Sequence, residues 1–375
     1  MFCDPVTDFT AGGTISTLRF AEFLRQRGHN VIFAASKAPG QRYVDSYKGF
    51  KVYRSISLAL PRNERQFRIS FPVRKRLIRI LEAERIDIVH FMLPHPAAIA
   101  AIRAARSVGA KVVAHSHTQP ENILFHPSNA NFKSPLGSVI CRYLAWLYRQ
   151  ADAVVFPSEF ARHLLEDRLG LAIKKVVISN GVDTRYFKPT VDSAPHPQAL
   201  LSVGRLHPEK AIDTLISAIP LVAQCHPEVR LSIVGRGYLG AKLQGLTRSL
   251  RLEGRVTFHG TVAEGDLILM YNACAIFVLP SWAELEGMAL LEAMACGKPI
   301  VVANSPHSAA PLLVEGNGLL FKPGNPEDLA KKLATLLDDA PMRVEMGRIS
   351  RARSENYDIR MSVDKLEELY DSLLS

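Results

Sequence analysis

The stretch AELEGMALLEAMACGKP, residues 283–299, sets three carboxylates among Ala, Gly, Met and Leu: Glu284, Glu286 and Glu292. With a helix read over 287–296, Glu284 and Glu292 stand eight positions apart, so their directions differ by about 80° and their levels by about 12 Å. Carboxylates so placed share neither a proton nor a metal ion. They suit the two ends of an extended ligand that carries hydroxyls. Between them the backbone N–H groups of Gly287, Met288, Ala289 and Leu290 open the helix and favour phosphate oxygens. A nucleotide sugar has that order of groups: sugar hydroxyls, diphosphate, ribose hydroxyls. Taken alone, the stretch reads equally well as a plain helix start, with Glu286 a favourable first-turn acid and Glu292 facing solvent.

A second group of residues carries the complementary charge. In SVGRLHPEKAIDTL, residues 202–215, Arg205 and Lys210 flank a strand-to-helix connection. A guanidinium fork and a mobile ammonium at a helix N-terminus suit a diphosphate, although the same pair serves as ordinary surface charge. Gly12 and Gly13 precede a helix at Thr14, where they let a phosphate approach the backbone or simply make a tight turn. GRGYLG, residues 235–240, matches the dinucleotide fingerprint G-x-G-x-x-G. It follows the second strand of its domain, and the acid expected about twenty residues on could only be Glu253, so we read it as a strand-to-helix turn.

The elements that must position these residues alternate along the chain. Strand-like runs in the first half are VIFAAS (31–36), KVYRSI (51–56), DIVHFM (87–92), KVVAH (111–115), AVVF (153–156) and VVIS (176–179). In the second half they are LLSVG (200–204), RLSIVG (230–235), RVTFHG (255–260), AIFVLP (275–280) and PIVVAN (299–304). Amphipathic segments such as 14–28 and 209–224 lie between them, which predicts parallel sheets with helices on both faces. The pattern occurs twice, separated by KPTVDSAPHPQ (188–198). The fold class is therefore α/β, with two tandem doubly wound, Rossmann-like domains whose strand ends face one cleft. The domains are expected at 1–187 and 188–355, with a C-terminal helix over 356–375 crossing back to the first. MFCD leaves room only for the end of a first strand.

Composition narrows the class. At 375 residues with 47% hydrophobic and 22% charged residues the chain reads as globular. No secretory signal is visible at the start, and the apolar stretch 267–282 is too short and too interrupted to span a membrane. Five scattered cysteines, Cys3, Cys141, Cys225, Cys274 and Cys296, suggest neither a disulfide framework nor a zinc site. The expected compartment is the cytoplasm. Residues 1–190 hold 28 Lys and Arg against 14 Asp and Glu, whereas residues 191–375 hold 18 against 22. Between Lys48 and Arg79 there are ten basic residues and one acid, Glu64. This one-sided field suits an anionic partner, or is a solvated basic face. Segment 72–84 sets Val73, Leu77, Ile80 and Leu81 against cations and, together with segment 136–150 (Leu136, Ile140, Tyr143, Leu144, Leu147), could lay the first domain on an anionic bilayer. Both could equally pack on the sheet, and core packing is the preferred reading of 136–150.

Seven stretches, in order, resemble family 4 of the retaining glycosyltransferases, whose fold is GT-B. They are Gly12-Gly13, LRQRGHNVIFAAS (24–36), PSEFARHLL (157–165), SNGVDTRYFKP (179–189), VGRLHPEK (203–210), VTFHGTV (256–262) and PSWAELEGMALLEAMACGKPIV (280–301). The resemblance implies that Glu292 holds ribose hydroxyls and Glu284 reaches the transferred sugar. It implies that Arg205 and Lys210 neutralise the departing diphosphate, helped by the amides of Gly287–Leu290, with Gly12 and Gly13 approaching the same phosphates. In AHSHTQPEN (114–122), His117 best matches the family's donor-sugar histidine and His115 is second. No catalytic base is assigned, since the leaving phosphate is thought to deprotonate the acceptor, and no metal or other cofactor is implied.

The departures are Ala211, where many members have Gly, and residues 303–321, which lack the usual glycine pair. The donor expected is a UDP- or GDP-linked hexose. The acceptor is a lipid or saccharide of glycolipid or cell-envelope synthesis, with a leaning to members that glycosylate lipids. The partners expected are that donor, that acceptor and an anionic membrane surface on the inner face of the plasma membrane, with no nucleic acid. The alternatives are a catalytically silent partner subunit, or an epimerase or phosphorylase on the same fold.

Overall fold

The computed structural model describes residues 1, 12–59, 68–118, 135–170, 172–190 and 196–375. Outside them lie most of the expected first strand at MFCD, residues 60–67 of the basic run, the end of AHSHTQPEN and residues 191–195 of the proline-containing linker. The chain divides into two units. The first holds the described residues up to Asn180 together with Arg360–Ser375, and the second runs from Gly181 to Ile359. The change-over precedes the proline-rich stretch because residues 181–190 are already anchored in the second unit. Val182 pairs with Asp358, Phe187 packs its ring on Tyr271, and the buried Asn272 amide bonds to Lys188 and Thr190.

In the first unit α1 (Gly12–Gln26) precedes β1 (Phe33–Ser36), β2 (Val44–Tyr47), β3 (Phe50–Ser55), β4 (Ser57–Ala59) and β5 (Arg68–Ser70). Then come α2 (Arg74–Ala83), β6 (Ile88–Phe91), α3 (Pro96–Val108), β7 (Lys111–His115), α4 (Pro135–Tyr148), β8 (Ala153–Phe156), α5 (Glu159–Leu169) and β9 (Lys174–Val177). Strands β6, β7, β8 and β9 run parallel in that order, β1 pairs parallel with β3, and β2 closes the other side of β3 antiparallel. Every residue of AVVF is buried, as continuous apolar runs are in a parallel sheet covered on both faces. Leu144, Leu147 and Tyr148 of α4 are buried, so that helix packs in the core. The apolar stripe of α2 behaves differently from the bilayer-facing expectation. Leu77 is buried and α2 lies against α3, so this stripe serves packing within the unit; only Val73, at its start, stays exposed.

In the second unit β10 (Ala199–Val203) leads through a 3-10 turn, Pro208–Lys210, into α6 (Ile212–Val222). There follow β11 (Arg230–Val234), α7 (Gly240–Ser249), β12 (Val256–Gly260), α8 (Glu264–Ala273), β13 (Ile276–Leu279), β14 (Ala283–Glu284) and α9 (Met288–Ala295). The unit ends with β15 (Ile300–Ala303), β16 (His307–Ser308), β17 (Gly318–Phe321), α10 (Pro326–Asp338) and α11 (Ala340–Ser354). Six parallel strands are ordered β12-β11-β10-β13-β15-β17. Residues of α6, α7 and α10 fill the core on one face, and those of α8 and α9 fill the other. Counted within the unit the order is 3-2-1-4-5-6, so connections leave in opposite directions from β10 and β13. Ligands bind at the carboxyl ends of such a pair.

The last helix, α12 (Ile359–Leu374), packs in the first unit. Arg27 of the first unit forms ion pairs with Asp364 and Glu367, and Tyr370 reaches His90.

Candidate active site

Beside one another at the switch point, β10 and β13 set Leu200 opposite Ile276 and Leu201 opposite Phe277. Their carboxyl ends lead into the residues singled out above. The loop after β10 is stitched to the loop after β11, where Gly204 N–H donates to Val234 and Leu206 N–H donates to Arg236, both at 2.9 Å. Gly235 has φ 133°, and a Cβ there would fall 1.9 Å from the Gly204 carbonyl oxygen. That backbone crossing explains the first glycine of GRGYLG without a dinucleotide.

Arg205 donates from Nη2 to Glu209 Oε1 at 3.0 Å, and Glu209 is only 3% exposed. Lys210 ends the 3-10 turn and donates from Nζ to Glu284 Oε1 at 2.5 Å. Glu284 is fixed from its own side by β14, which pairs parallel with β16 and places Glu284 opposite Ser308. Residues 303–321, which lack the glycine pair, thus border Glu284 directly. Trp282 N–H donates to the Glu209 carbonyl at 2.8 Å and joins the two loops. The Lys210 and Glu284 side chains are 16% and 12% exposed, so water screens the pair weakly. Any diphosphate here must draw Lys210 from a carboxylate. His207, between the two cations, has its pKa lowered by burial and then by Arg205.

Helix α9 begins at Gly287, whose φ of 101° suits glycine. Leu290 N–H already donates to the Gly287 carbonyl at 2.9 Å, which, among the described residues, leaves Gly287, Met288 and Ala289 of the four expected amides. Glu292 does not face solvent. It is 5% exposed, and its Oε2 accepts from Tyr271 Oη at 2.9 Å. Glu286 precedes the helix and is 4% exposed, so it is not the first-turn surface acid that the sequence suggested. Tyr271 and Glu209 were not singled out from the sequence. A buried tyrosine needs a partner for its hydroxyl, but nothing in one sequence says that α8 meets α9 there.

Ala211 joins the 3-10 turn to α6 with φ 46° and ψ 38°, the left-handed region where a Cβ is strained. Ala211→Gly is expected to stabilise the protein by about 1 kcal/mol, read as a higher urea midpoint at unchanged slope. An unchanged or lower midpoint would mean that packing of the buried methyl outweighs the strain.

In the first unit Gly12 opens α1, and Gly13 lies against His117, where a Cβ would meet the His117 Cβ and Cγ at 3.5 Å. His117 stacks on His115 at 4.1 Å between ring centroids, His115 stacks on His90 at 5.4 Å, and His90 Nδ1 lies 2.7 Å from Tyr370 Oη. His90 and His115 are fully buried, whereas His117 as a whole is half-buried, with its Nε2 sealed from solvent. Burial lowers His117 to about 3 and His90 to about 3, and holds His115 well below the usual range. A neutral imidazole at His117 can exchange a hydrogen bond with a hydroxyl; it is not a counter-charge for phosphate. Gly12, Gly13 and His117 belong to the first unit. Arg205, Lys210, Glu284, Gly287–Leu290 and Glu292 belong to the second.

Residues 10–186 match the family model described as Glycosyltransferase Family 4, and residues 187–353 match Glycosyl transferases group 1. The chain belongs to the family 4 glycosyltransferases. Among the relatives of this glycosyltransferase, sulfoquinovosyl transferase SQD2 of Arabidopsis thaliana is 27% identical over 363 residues, 92% of this chain and 68% of its own. Alpha-monoglucosyldiacylglycerol synthase of Streptococcus pneumoniae is 24% identical over 322 residues, covering 82% of this chain and 71% of its own. The structure of Anabaena HepE in complex with UDP and glucose aligns with a TM-score of 0.78 at 22% identity, covering 99% of both chains. That likeness places the glycosyltransferase in the GT-B fold, with two Rossmann-like domains.

Proposed function

We propose that this glycosyltransferase moves a hexosyl unit from a UDP- or GDP-linked sugar to a lipid or saccharide acceptor, with retention of anomeric configuration and without a metal ion. The observation that carries the reading is the Lys210–Glu284 pair at the switch point, with Arg205 and the start of α9 in the same unit. Two cations and three helix amides supply the positive charge that a departing diphosphate needs. As the bond from the anomeric carbon to the phosphate oxygen breaks, negative charge grows on the diphosphate and draws Lys210 from Glu284. The released carboxylate takes a sugar hydroxyl. Glu292, oriented by Tyr271, takes the ribose hydroxyls, and neutral His117 adds a hydrogen bond to the sugar. The leaving phosphate accepts the proton of the acceptor hydroxyl on the same face, which retains the anomeric configuration.

The two relatives named above are an alpha-monoglucosyldiacylglycerol synthase and a sulfoquinovosyl transferase, and HepE was solved with UDP and glucose. They favour a nucleotide-sugar donor and a lipid acceptor, and we extend the reading to work at an anionic membrane surface. Thermal unfolding with a panel of nucleotide diphosphates and their sugars tests the reading, because a ligand at a hundred times its Kd adds about 2.7 kcal/mol. Glu292→Gln should weaken the responding nucleotide about tenfold, whereas Glu284→Gln should leave its Kd within about twofold and slow transfer. No response to any nucleotide would refute the donor assignment, and an inverted product anomer would refute retention.

A further inference from the structure

The ribbon β4–β5 pairs Ser57 with Ser70 and Leu58 with Ile69, and Phe71 N–H donates to the Ile56 carbonyl at 2.8 Å. Side chains alternate across a strand, so Ile56, Leu58, Ile69 and Phe71 share one face and Ser57 and Ser70 share the other. The serine face is used inside the unit. Ser70 is 1% exposed, and Ser57 Oγ donates to the Lys37 carbonyl at 2.7 Å. The apolar face is open: Ile56 is 61% exposed, Leu58 68% and Phe71 58%, with Val73 next in line at 63%. Single exposed apolar residues are ordinary, but four on one short ribbon and its continuation make a patch. Directly after it α2 carries Arg74, Lys75, Arg76 and Arg79, and among the described residues none of the four meets a carboxylate. Arg74 donates to the Ser107 hydroxyl, and Arg76 donates to the Arg54 and Tyr43 carbonyls.

We propose that this ribbon face inserts into the headgroup region of an anionic lipid bilayer, with the α2 cations on the lipid phosphates. The proposal rests on the lipid-acceptor reading above, and it moves the membrane contact from the packed stripe of α2 to the ribbon before it. Charge complementarity chooses the occupant. A second copy of the chain, docked through a two-fold axis, would bring these four cations, which meet no carboxylate among the described residues, against their own duplicates. A single-stranded nucleic acid needs a succession of open aromatic faces; Phe71 offers one, but Lys37 and Arg76 both lie over the Tyr43 ring, and Ile56, Leu58 and Val73 cannot stack on a base. Aliphatic and phenyl groups beside cations that meet no carboxylate among the described residues fit the boundary between acyl chains and anionic headgroups.

The test is co-sedimentation with vesicles of phosphatidylcholine alone and of phosphatidylcholine with phosphatidylglycerol, without donor. Binding should require phosphatidylglycerol. Leu58→Ser with Phe71→Ser should weaken it about tenfold, and Arg74→Gln, Lys75→Gln and Arg79→Gln together about a hundredfold, at roughly fivefold per cation. In Phe71→Trp, brominated lipid should quench fluorescence beyond any effect on the parent, whose tryptophans are Trp146 and Trp282. Unchanged binding in the Leu58/Phe71 variant, no added quenching, or a dimer in sedimentation equilibrium that Leu58→Ser dissolves would each overturn the proposal. The nucleotide-induced thermal shift reports on the second unit and should persist in every variant, so a failure here is distinct from a failure of the donor assignment.

Discussion

Lys210→Ala is expected to lower kcat/KM for sugar transfer by about three orders of magnitude, the usual cost of removing one preorganised charge from a developing anion. Since the charge matters most in the transition state, kcat should fall with kcat/KM while KM moves little. The same substitution leaves the Glu284 carboxylate, 12% exposed, without its 2.5 Å partner. An orphaned, nearly buried carboxylate is costly, so the variant should also unfold at lower urea. Lys210→Ala combined with Glu284→Gln separates the two effects: stability should return towards the parent, and turnover should not. Recovery of turnover in the double variant would make the pair a structural tie. A single variant of parental kcat/KM would remove Lys210 from the reaction.

The second large effect is a loss of stability on mild acidification. Burial lowers His90 to about 3, with the N-terminal ammonium adding to the effect, and burial and then the two neighbouring imidazoles hold His115 well below its ordinary range. In the unfolded chain both titrate near 6.5. Below that pH the unfolded chain takes up protons that the native state refuses. The stability due to these groups is therefore complete above about 6.5 and declines as the pH falls towards 3. Two such groups give a slope of roughly 2.7 kcal/mol per pH unit, and half-buried His117 adds in the same direction. Urea unfolding at pH 7.5, 6.5 and 5.5 measures it. Replacing His90 by glutamine, which keeps a polar neighbour for Tyr370, should reduce the slope by about 1.4 kcal/mol per pH unit, one proton's share. A urea midpoint that stays constant from pH 7.5 to 5.5 would show that the imidazole stack is not sealed from water.

What could be read in advance follows from how locally each feature is specified. KVVAH and AVVF form strands over the residues named in advance, because a β-branched run buried on both faces leaves little choice. Strand β2, VDSY, escaped notice because an exposed edge strand has no apolar alternation. GLLF escaped because Gly316-Asn317-Gly318 reads as a turn and the strand starts on the second glycine. In the site, the spacing of Glu284 and Glu292 and the placing of Arg205 and Lys210 needed only strand ends and one helix. Their present partners did not follow. Tyr271 meets Glu292 through the packing of two helices, and Lys210 meets Glu284 across 74 residues of chain. Glu209 was within reach of sequence reasoning, four residues from Arg205, but a charge in a short turn before a helix looks like solvent-facing polarity. The segment 72–84 shows the converse case. Helical periodicity in 72–84 located an apolar stripe, but periodicity does not say whether that stripe faces lipid or the next helix.

The path of the chain also sets an order of assembly. Residues 360–375 complete the first unit, covering His90 with Tyr370 and holding Arg27, yet a ribosome makes them only after the whole second unit. The first unit, begun earliest, is therefore the later to be finished. Until α12 arrives, the nascent chain must keep the uncovered surface at His90 from wrong partners while residues 181–359 fold as a contiguous piece.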